Sequence, residues 1–191
     1  AGLVAVGVAA PQAPVNPQGL AEQAAASKAD SDTAAAREKV KADETHAVAK
    51  RAFVGQYRQL LVLAKPCDQA VTALAKAANS GDQYSTYEAA KHGDRVCRKT
   101  ATTIGGMSAS ASTYGEDAKK IEKAISTCRS AYIFKQMGMA KAMAIADGDG
   151  RPSVVSDMSE DLKTGQAGAL LCVAEFFAAG SKLGIDLKEL S

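Results

Sequence analysis

Four cysteines stand symmetrically about two polar turns, and few folds satisfy such spacing. The midpoint between Cys128 and Cys172 is Gly150, inside the polar run 147–152, and the midpoint between the other two cysteines is Asp82. Two helices that fold back at such a midpoint bring the flanking cysteines to the same height, because each helix rises about 1.5 Å per residue. The sequence therefore predicts two disulfides, Cys67–Cys97 and Cys128–Cys172.

The cysteine pattern also restricts the chemistry and the compartment. The number of cysteines is even, and the sequence contains no CxxC or CxxCH motif. This pattern argues for disulfides and against a zinc site or a covalently attached haem. Since disulfides persist in oxidising compartments, the expected location is extracytoplasmic, that is, the periplasm, the cell surface or the secreted fraction.

Apolar residues recur at alternating spacings of three and four in four segments, which is the pattern of helices that bury one face. The segments begin near Phe53, Asp82, Tyr114 and Val155, and each cysteine falls within the apolar stripe of its own segment. Short connections between neighbouring helices favour antiparallel packing. The predicted fold is all-α: an up-down-up-down four-helix bundle cross-linked by two disulfides, preceded by an N-terminal arm rich in Pro and Ala.

Three residues predict details of the first two helices. Pro66 predicts a kink in the first helix, or its division into two nearly collinear pieces. Gly81 is placed for a left-handed cap at the end of the first helix. Gly93, inside the second helix, indicates close packing or a weak point.

Further residues predict which side chains of the last three helices are buried and where the fourth helix begins. Lys135 falls on the stripe of the third helix, where its aliphatic carbons are expected to cover the edge while its ammonium group reaches water. Tyr84 and Val155 are expected on the buried stripes of the second and fourth helices. Asp157 with Glu160 resembles a capping box, which predicts that the fourth helix begins there.

Composition divides the chain into two domains. Residues 1–45 form the N-terminal arm, in which residues 11–19 hold three of the five prolines and read as a linker. The rest of the arm after the linker is Ala-rich and charged, with helix propensity but few large apolar residues to bury. Residues 46–191 contain all four cysteines and are predicted to form the bundle.

The first ten residues, AGLVAVGVAA, allow two interpretations. They resemble the apolar part of a secretory signal peptide, with a suitable cleavage site at its end. Alternatively they belong to the mature protein, where an apolar segment can add to a neighbouring sheet or lie in an interface groove. No later run reaches the roughly 20 apolar residues of a transmembrane helix. In the second interpretation the partner-binding residues are Leu3, Val4, Val6 and Val8.

The sequence offers few groups for chemistry. Neither of the two histidines, His46 and His92, has a nucleophile suggested near it, and no nucleophile-elbow motif is present. Met139 and Met143 share a helix face and are candidates for binding Cu(I), although filling the core is the commoner role of methionine. The net charge of +2 is spread along the chain, so nucleic-acid binding is not indicated. No enzymatic activity and no cofactor are expected.

These features favour a non-enzymatic exported protein that acts as a binding or structural accessory subunit of an extracytoplasmic assembly, in an envelope or at a surface. The expected partner is another protein, or a second copy that assembles through the N-terminal arm. The alternative hypothesis is a soluble carrier of a small ligand or a metal, because facing helices of bundles often build such sites. The carrier hypothesis predicts a polar or Met-lined cavity between the third and fourth helices.

Overall fold

The computed structural model describes residues 17–190, where all regular structure is helical. One turn of 3-10 helix, Gly115–Asp117, precedes the third long helix. The α-helices in chain order are α1 (Pro17–Ser80), α2 (Gln83–Gly105), α3 (Ala111–Tyr114), α4 (Ala118–Ala146), α5 (Pro152–Lys182) and α6 (Leu187–Leu190).

The described residues divide into two units, with the boundary between Glu44 and Thr45. The first unit is the part of α1 that ends at Glu44, and all of its described side chains are exposed. The second unit contains the rest of α1 and all later helices. None of the described helices combines the length and the apolar character needed to cross a membrane.

The second unit is a four-helix bundle formed by residues 45–80 of α1 together with α2, α4 and α5. Helix α4 packs against both α2 and α5. Helix α1 closes the core by placing the rings of Phe53 and Tyr57 5.8 and 5.7 Å from the ring of Phe176 on α5. The prediction of an all-α, up-down-up-down bundle with antiparallel neighbours is confirmed.

Both predicted disulfides are present. Cys67 is bonded to Cys97 and Cys128 to Cys172, with Cα–Cα distances of 4.6 and 4.8 Å. All four cysteines are buried, and none in the described part of the chain is free. Each bridge joins two antiparallel helices that are consecutive in the bundle, α1 to α2 and α4 to α5, so the symmetric spacing predicted the pairing correctly.

The turn between α1 and α2 has the predicted cap, but one aromatic residue after it is misplaced. Gly81 has a φ of +73°, which glycine adopts without steric cost. Asp82 is the N-cap of α2, and its carboxylate accepts hydrogen bonds from backbone N–H groups of the first turn. Tyr84 is exposed rather than buried. Residues on the same helix face as buried Ala90 lie three or four positions before it, at Tyr87 and Thr86, so Tyr84 lies on another face.

Two other helix predictions are corrected. Helix α1 continues through Pro66, so its division into two pieces is wrong. Helix α5 begins at Pro152 and not at a capping box of Asp157 and Glu160. Proline suits the first position of a helix because its φ is already helical and its missing N–H would have no partner there. Val155 consequently lies in the first turn of α5, where it is exposed and not on the buried stripe.

Glycines bring α4 close to both of its neighbours. A Cβ atom on Gly165 of α5 would lie 2.9 Å from the backbone oxygen of Ala131 and 2.9 Å from the backbone nitrogen of Lys135. A Cβ atom on Gly93 of α2 would overlap the sulfur of Met139, which confirms the close packing expected there. A larger side chain at Gly165 would require α4 and α5 to move apart, because the clash is with backbone atoms, whereas one at Gly93 would require the Met139 side chain to shift.

Gly165→Ala is expected to lower the free energy of unfolding by about 2 kcal/mol, because the added methyl group overlaps the α4 backbone. Gly55→Ala is the matched control, since Gly55 is also inside a helix but has nothing within 4 Å of its Cβ position. This control should raise the free energy of unfolding by about 0.5–1 kcal/mol through helix propensity. Urea unfolding followed by circular dichroism measures both, and equal stabilities of the two variants would contradict the close approach of α4 and α5.

Candidate functional site

A groove with a volume of about 580 Å³ lies between α1 and α5 of the bundle. Apolar side chains of α1 and α5 form its two walls together with polar side chains of the same helices. Two buried residues of α4, Tyr132 and Lys135, form its floor. We call this feature the α1/α5 groove, and its lining residues are Leu60, Leu61, Ala64, Lys65, Asp68, Gln69, Val71, Thr72, Tyr132, Lys135, Gln166, Ala169, Leu170, Cys172 and Val173.

An ion pair lies at the floor of the α1/α5 groove. The side chain of Lys135 is 3% exposed, and its Nζ lies 2.5 Å from Oδ1 of Asp68, whose side chain is 48% exposed. The hydroxyl group of Tyr132 donates a hydrogen bond of 3.3 Å to Oδ2 of the same carboxylate. Nζ of Lys135 also lies 4.7 Å from the centre of the Tyr132 ring, within the range of a cation–π contact. The expectation that this ammonium group reaches water is therefore wrong.

The small size of Gly165 explains why Lys135 can lie inside the bundle. A Cβ atom on Gly165 would lie 2.7 Å from Cγ of Lys135, so the missing side chain leaves room for the aliphatic part of the lysine. Asp68 supplies the opposite charge, without which a buried ammonium group would be costly. Burial, together with the charge of Asp68 and the hydrogen bond to it, raises the pKa of Tyr132, so this hydroxyl group stays protonated as a donor even where an ordinary tyrosine would ionise.

Exposed leucines occur on both walls of the α1/α5 groove. Leu61 of α1 is 42% exposed and Leu170 of α5 is 66% exposed, although both line the groove. Their chain neighbours Val62 and Leu171 are 71% and 54% exposed and do not line it. The lining residues, all of which the structure describes, include no histidine. Apolar walls open to solvent around a few polar groups are typical of a binding surface.

A second cavity, with a volume of about 260 Å³, lies where the ends of α1 and α4 meet the starts of α2 and α5. Its walls are apolar except at Thr86, whose hydroxyl group donates a hydrogen bond of 2.8 Å to the backbone oxygen of Asp82. Val71 lines both this cavity and the α1/α5 groove, so the two adjoin. We call it the apolar pocket, and its lining residues are Val71, Leu74, Ala75, Ala78, Thr86, Ala142, Ile145, Val155, Met158 and Leu162.

The candidate metal-binding methionines lie in the core. Met139 is fully buried against Gly93, and Met143 is partly buried against the same core. Among the residues that the structure describes, no group of three or more His, Cys, Asp or Glu side chains is placed to hold a metal ion. His92 contacts Arg95, with 3.2 Å between Nδ1 and a guanidinium nitrogen. Core packing accounts for the position of both methionines, and Cu(I) binding by them stays a prediction.

Sequence reasoning missed the α1/α5 groove, although a signal for it exists. A helix that buries one stripe needs a large apolar residue only at every third or fourth position. The run from Leu60 to Leu63 and the pair Leu170 and Leu171 exceed that need. Of the exposed surplus residues, Leu61 and Leu170 line the groove, whereas Val62 and Leu171 do not. The remaining candidates, Leu3, Val4, Val6 and Val8, lie outside the described residues.

The fold and the cysteine pairing define a structural class, that of all-α four-helix bundles in which each of two antiparallel helix pairs carries one disulfide. No protein-family model, no curated protein and no solved structure matches the chain.

Proposed function

We propose that this chain is a non-enzymatic, exported protein that binds another polypeptide as an accessory subunit of an extracytoplasmic assembly, in a cell envelope or at a cell surface. The observation that carries the proposal is the α1/α5 groove, which exposes Leu61 and Leu170 on its opposite walls. Two leucines held apart by a groove offer a partner an apolar surface that the bundle itself does not cover.

The occupant that best matches the α1/α5 groove is an amphipathic helix of the partner. Two helices that form the walls of a groove present apolar side chains at helical spacing, which is how grooves that bind the apolar face of a helix are built. Full burial of a fully exposed leucine contributes about 1.5–3 kcal/mol. Leu61 and Leu170 are 42% and 66% exposed, so the burial of both contributes about 1.5–3 kcal/mol in total. Asp68, which is half exposed, can accept a hydrogen bond from a basic side chain of the partner helix.

The two disulfides support the extracytoplasmic part of the proposal. Thiols are kept reduced in most cytosols, whereas secreted, surface and periplasmic proteins keep their disulfides. Both bridges are buried in the core of the bundle and link helices that must already be packed together. They therefore behave as structural bridges of an exported domain.

The first unit offers a further surface for assembly. All described side chains of α1 from residue 25 to residue 44 are exposed, and they include the apolar Val40. Most helical stability in proteins comes from tertiary packing of one helix face, and exposed side chains of this segment are available for such packing. Contact of this segment with a partner protein, or with a second copy of the chain, is therefore part of the proposal.

Photo-crosslinking in the native cell tests the α1/α5 groove. A benzoylphenylalanine placed at Leu61 or at Leu170 is expected to give one discrete cross-linked product with a partner polypeptide, because both positions line the groove. The same residue placed at Val62 or at Leu171 should give no such product, since these adjacent positions are exposed but do not line the groove.

Folding of each variant is checked by non-reducing electrophoresis, because both disulfides form only when the hairpins are correctly paired. If all four positions give the same products, the groove is not the selective surface. If folded, exported protein gives no product at Leu61 and Leu170, a partner helix does not occupy the groove.

A further inference from the structure

The apolar pocket has features of a site for a small molecule that the protein-binding proposal does not explain. It has a volume of about 260 Å³ at the end of the bundle, where residues of four helices meet. Several of its wall residues are alanines, namely Ala75, Ala78 and Ala142, whose short side chains leave the space open. The cavity thus results in part from small residues on the faces of α1 and α4 that meet there.

Water is a poor occupant of the apolar pocket. A buried water molecule needs about two to four polar partners. The one polar side chain in the lining is Thr86, and its hydroxyl group already donates to the backbone oxygen of Asp82. An apolar molecule therefore gains free energy by leaving water for this pocket, because the walls contribute dispersion contacts and demand no hydrogen bonds.

The size and the opening of the apolar pocket indicate which part of a molecule enters it. Apolar cavities of about 150 Å³ bind benzene, so a cavity of this volume holds a larger apolar group. Val155, in the first turn of α5, is 42% exposed, and Ala75 and Ala78 of α1 are also exposed, so the pocket opens to solvent between these two helices. We propose that the apolar pocket binds the alkyl chain of a small amphipathic molecule whose polar end remains in water at the opening.

A protein partner fits the apolar pocket less well than a small molecule does. A stable protein interface buries about 800 Å² on each partner, which needs a wide contact surface. Val155 is the one large apolar residue of the pocket lining that is strongly exposed, whereas the α1/α5 groove exposes leucines on both walls. This proposal goes beyond the proposed function and is a version of the carrier hypothesis. That hypothesis expected a polar or Met-lined cavity between the third and fourth helices, whereas the pocket is largely apolar and lies where four helices meet.

Binding of N-phenyl-1-naphthylamine, with displacement by 1-octanol, tests the proposal on the full chain. The chain contains no tryptophan, so the probe fluorescence is measured without interference from the protein. The wild-type protein is expected to bind the probe at one saturable site, and 1-octanol should displace it. Ala75→Phe, which fills the pocket from α1, should weaken probe binding at least tenfold.

Ala73→Phe is the matched control, because Ala73 is exposed on the same helix, as Ala75 is, but lines no part of the pocket. It should bind the probe as the wild type does. Val155→Asp at the opening is a second test that leaves the buried core unchanged, and it should also weaken binding tenfold.

The proposal is overturned if the wild type shows no saturable binding, or if Ala73→Phe and Ala75→Phe weaken binding equally. It is also overturned if Leu170→Asp abolishes binding while Val155→Asp does not, because the probe would then occupy the α1/α5 groove. Cross-linking from Leu61 and Leu170 is independent of these results, so the two proposals can fail separately.

Discussion

Replacing Cys128 and Cys172 by alanine is expected to lower the free energy of unfolding by about 4 kcal/mol. The two cysteines are separated by 44 residues, and a bridge across that distance removes conformational entropy from the unfolded chain. Cys67 and Cys97 are separated by 30 residues, so removal of their bridge should lower the free energy of unfolding by a similar amount, about 3.6 kcal/mol.

Urea unfolding of the two paired variants measures these losses. The two loops do not overlap in the sequence, so a variant without either bridge should lose the sum, about 7–8 kcal/mol. Typical domains have a total stability of about 5–15 kcal/mol, so this variant is expected to be close to unfolding. A loss below about 1 kcal/mol for either pair would contradict the entropic role of that bridge.

Asp68→Ala is expected to lower the free energy of unfolding by about 2–3 kcal/mol, because it leaves the ammonium group of Lys135 buried without its partner. The loss is smaller than for a fully enclosed pair because the Asp68 side chain is 48% exposed and water replaces part of the interaction. Lys135→Met should change the stability by less than about 1 kcal/mol, since it replaces a buried charge by an apolar side chain of similar length and leaves a carboxylate that water can solvate.

Glu88→Ala is the matched control for Asp68→Ala. Glu88 is 47% exposed and pairs with Lys91 at 3.6 Å, but that lysine is itself 59% exposed. Loss of such a surface pair should cost no more than about 0.5 kcal/mol. Guanidinium unfolding at neutral pH compares the three variants. If Asp68→Ala and Glu88→Ala have the same stability, or if Lys135→Met is the least stable, the buried ammonium group does not depend on Asp68.

The two helical hairpins, α1 with α2 and α4 with α5, could be predicted from the sequence because their geometry depends on residues that are close together in the chain. A helix has a fixed rise per residue, so the midpoints at Asp82 and Gly150 determined which cysteines meet. The cap at Gly81 followed from the conformational freedom of glycine. The start of α5 was predicted wrongly because two acidic residues form a capping-box pattern. The helix instead begins at Pro152, whose fixed φ and missing N–H suit the first position of a helix.

The α1/α5 groove and its ion pair could not be predicted, because they depend on which helix faces meet. Lys135 and Asp68 lie on helices separated by α2, and nothing in their spacing indicates that they are in contact. The space that Lys135 occupies depends on Gly165, on a third helix. The spacing of apolar residues shows which face of each helix is buried, but it does not show how the helices are rotated relative to one another.

The covalent connectivity of the bundle has one further consequence. The connection between α2 and α4, residues 106–117, lies outside both disulfide loops. A backbone cut in either turn, at 81–82 or at 147–151, leaves the two fragments joined by a sulfur–sulfur bond. A cut within 106–117 instead produces two cross-linked hairpins that only non-covalent packing holds together. This connection is therefore the segment at which a single proteolytic event divides the bundle into two separable halves.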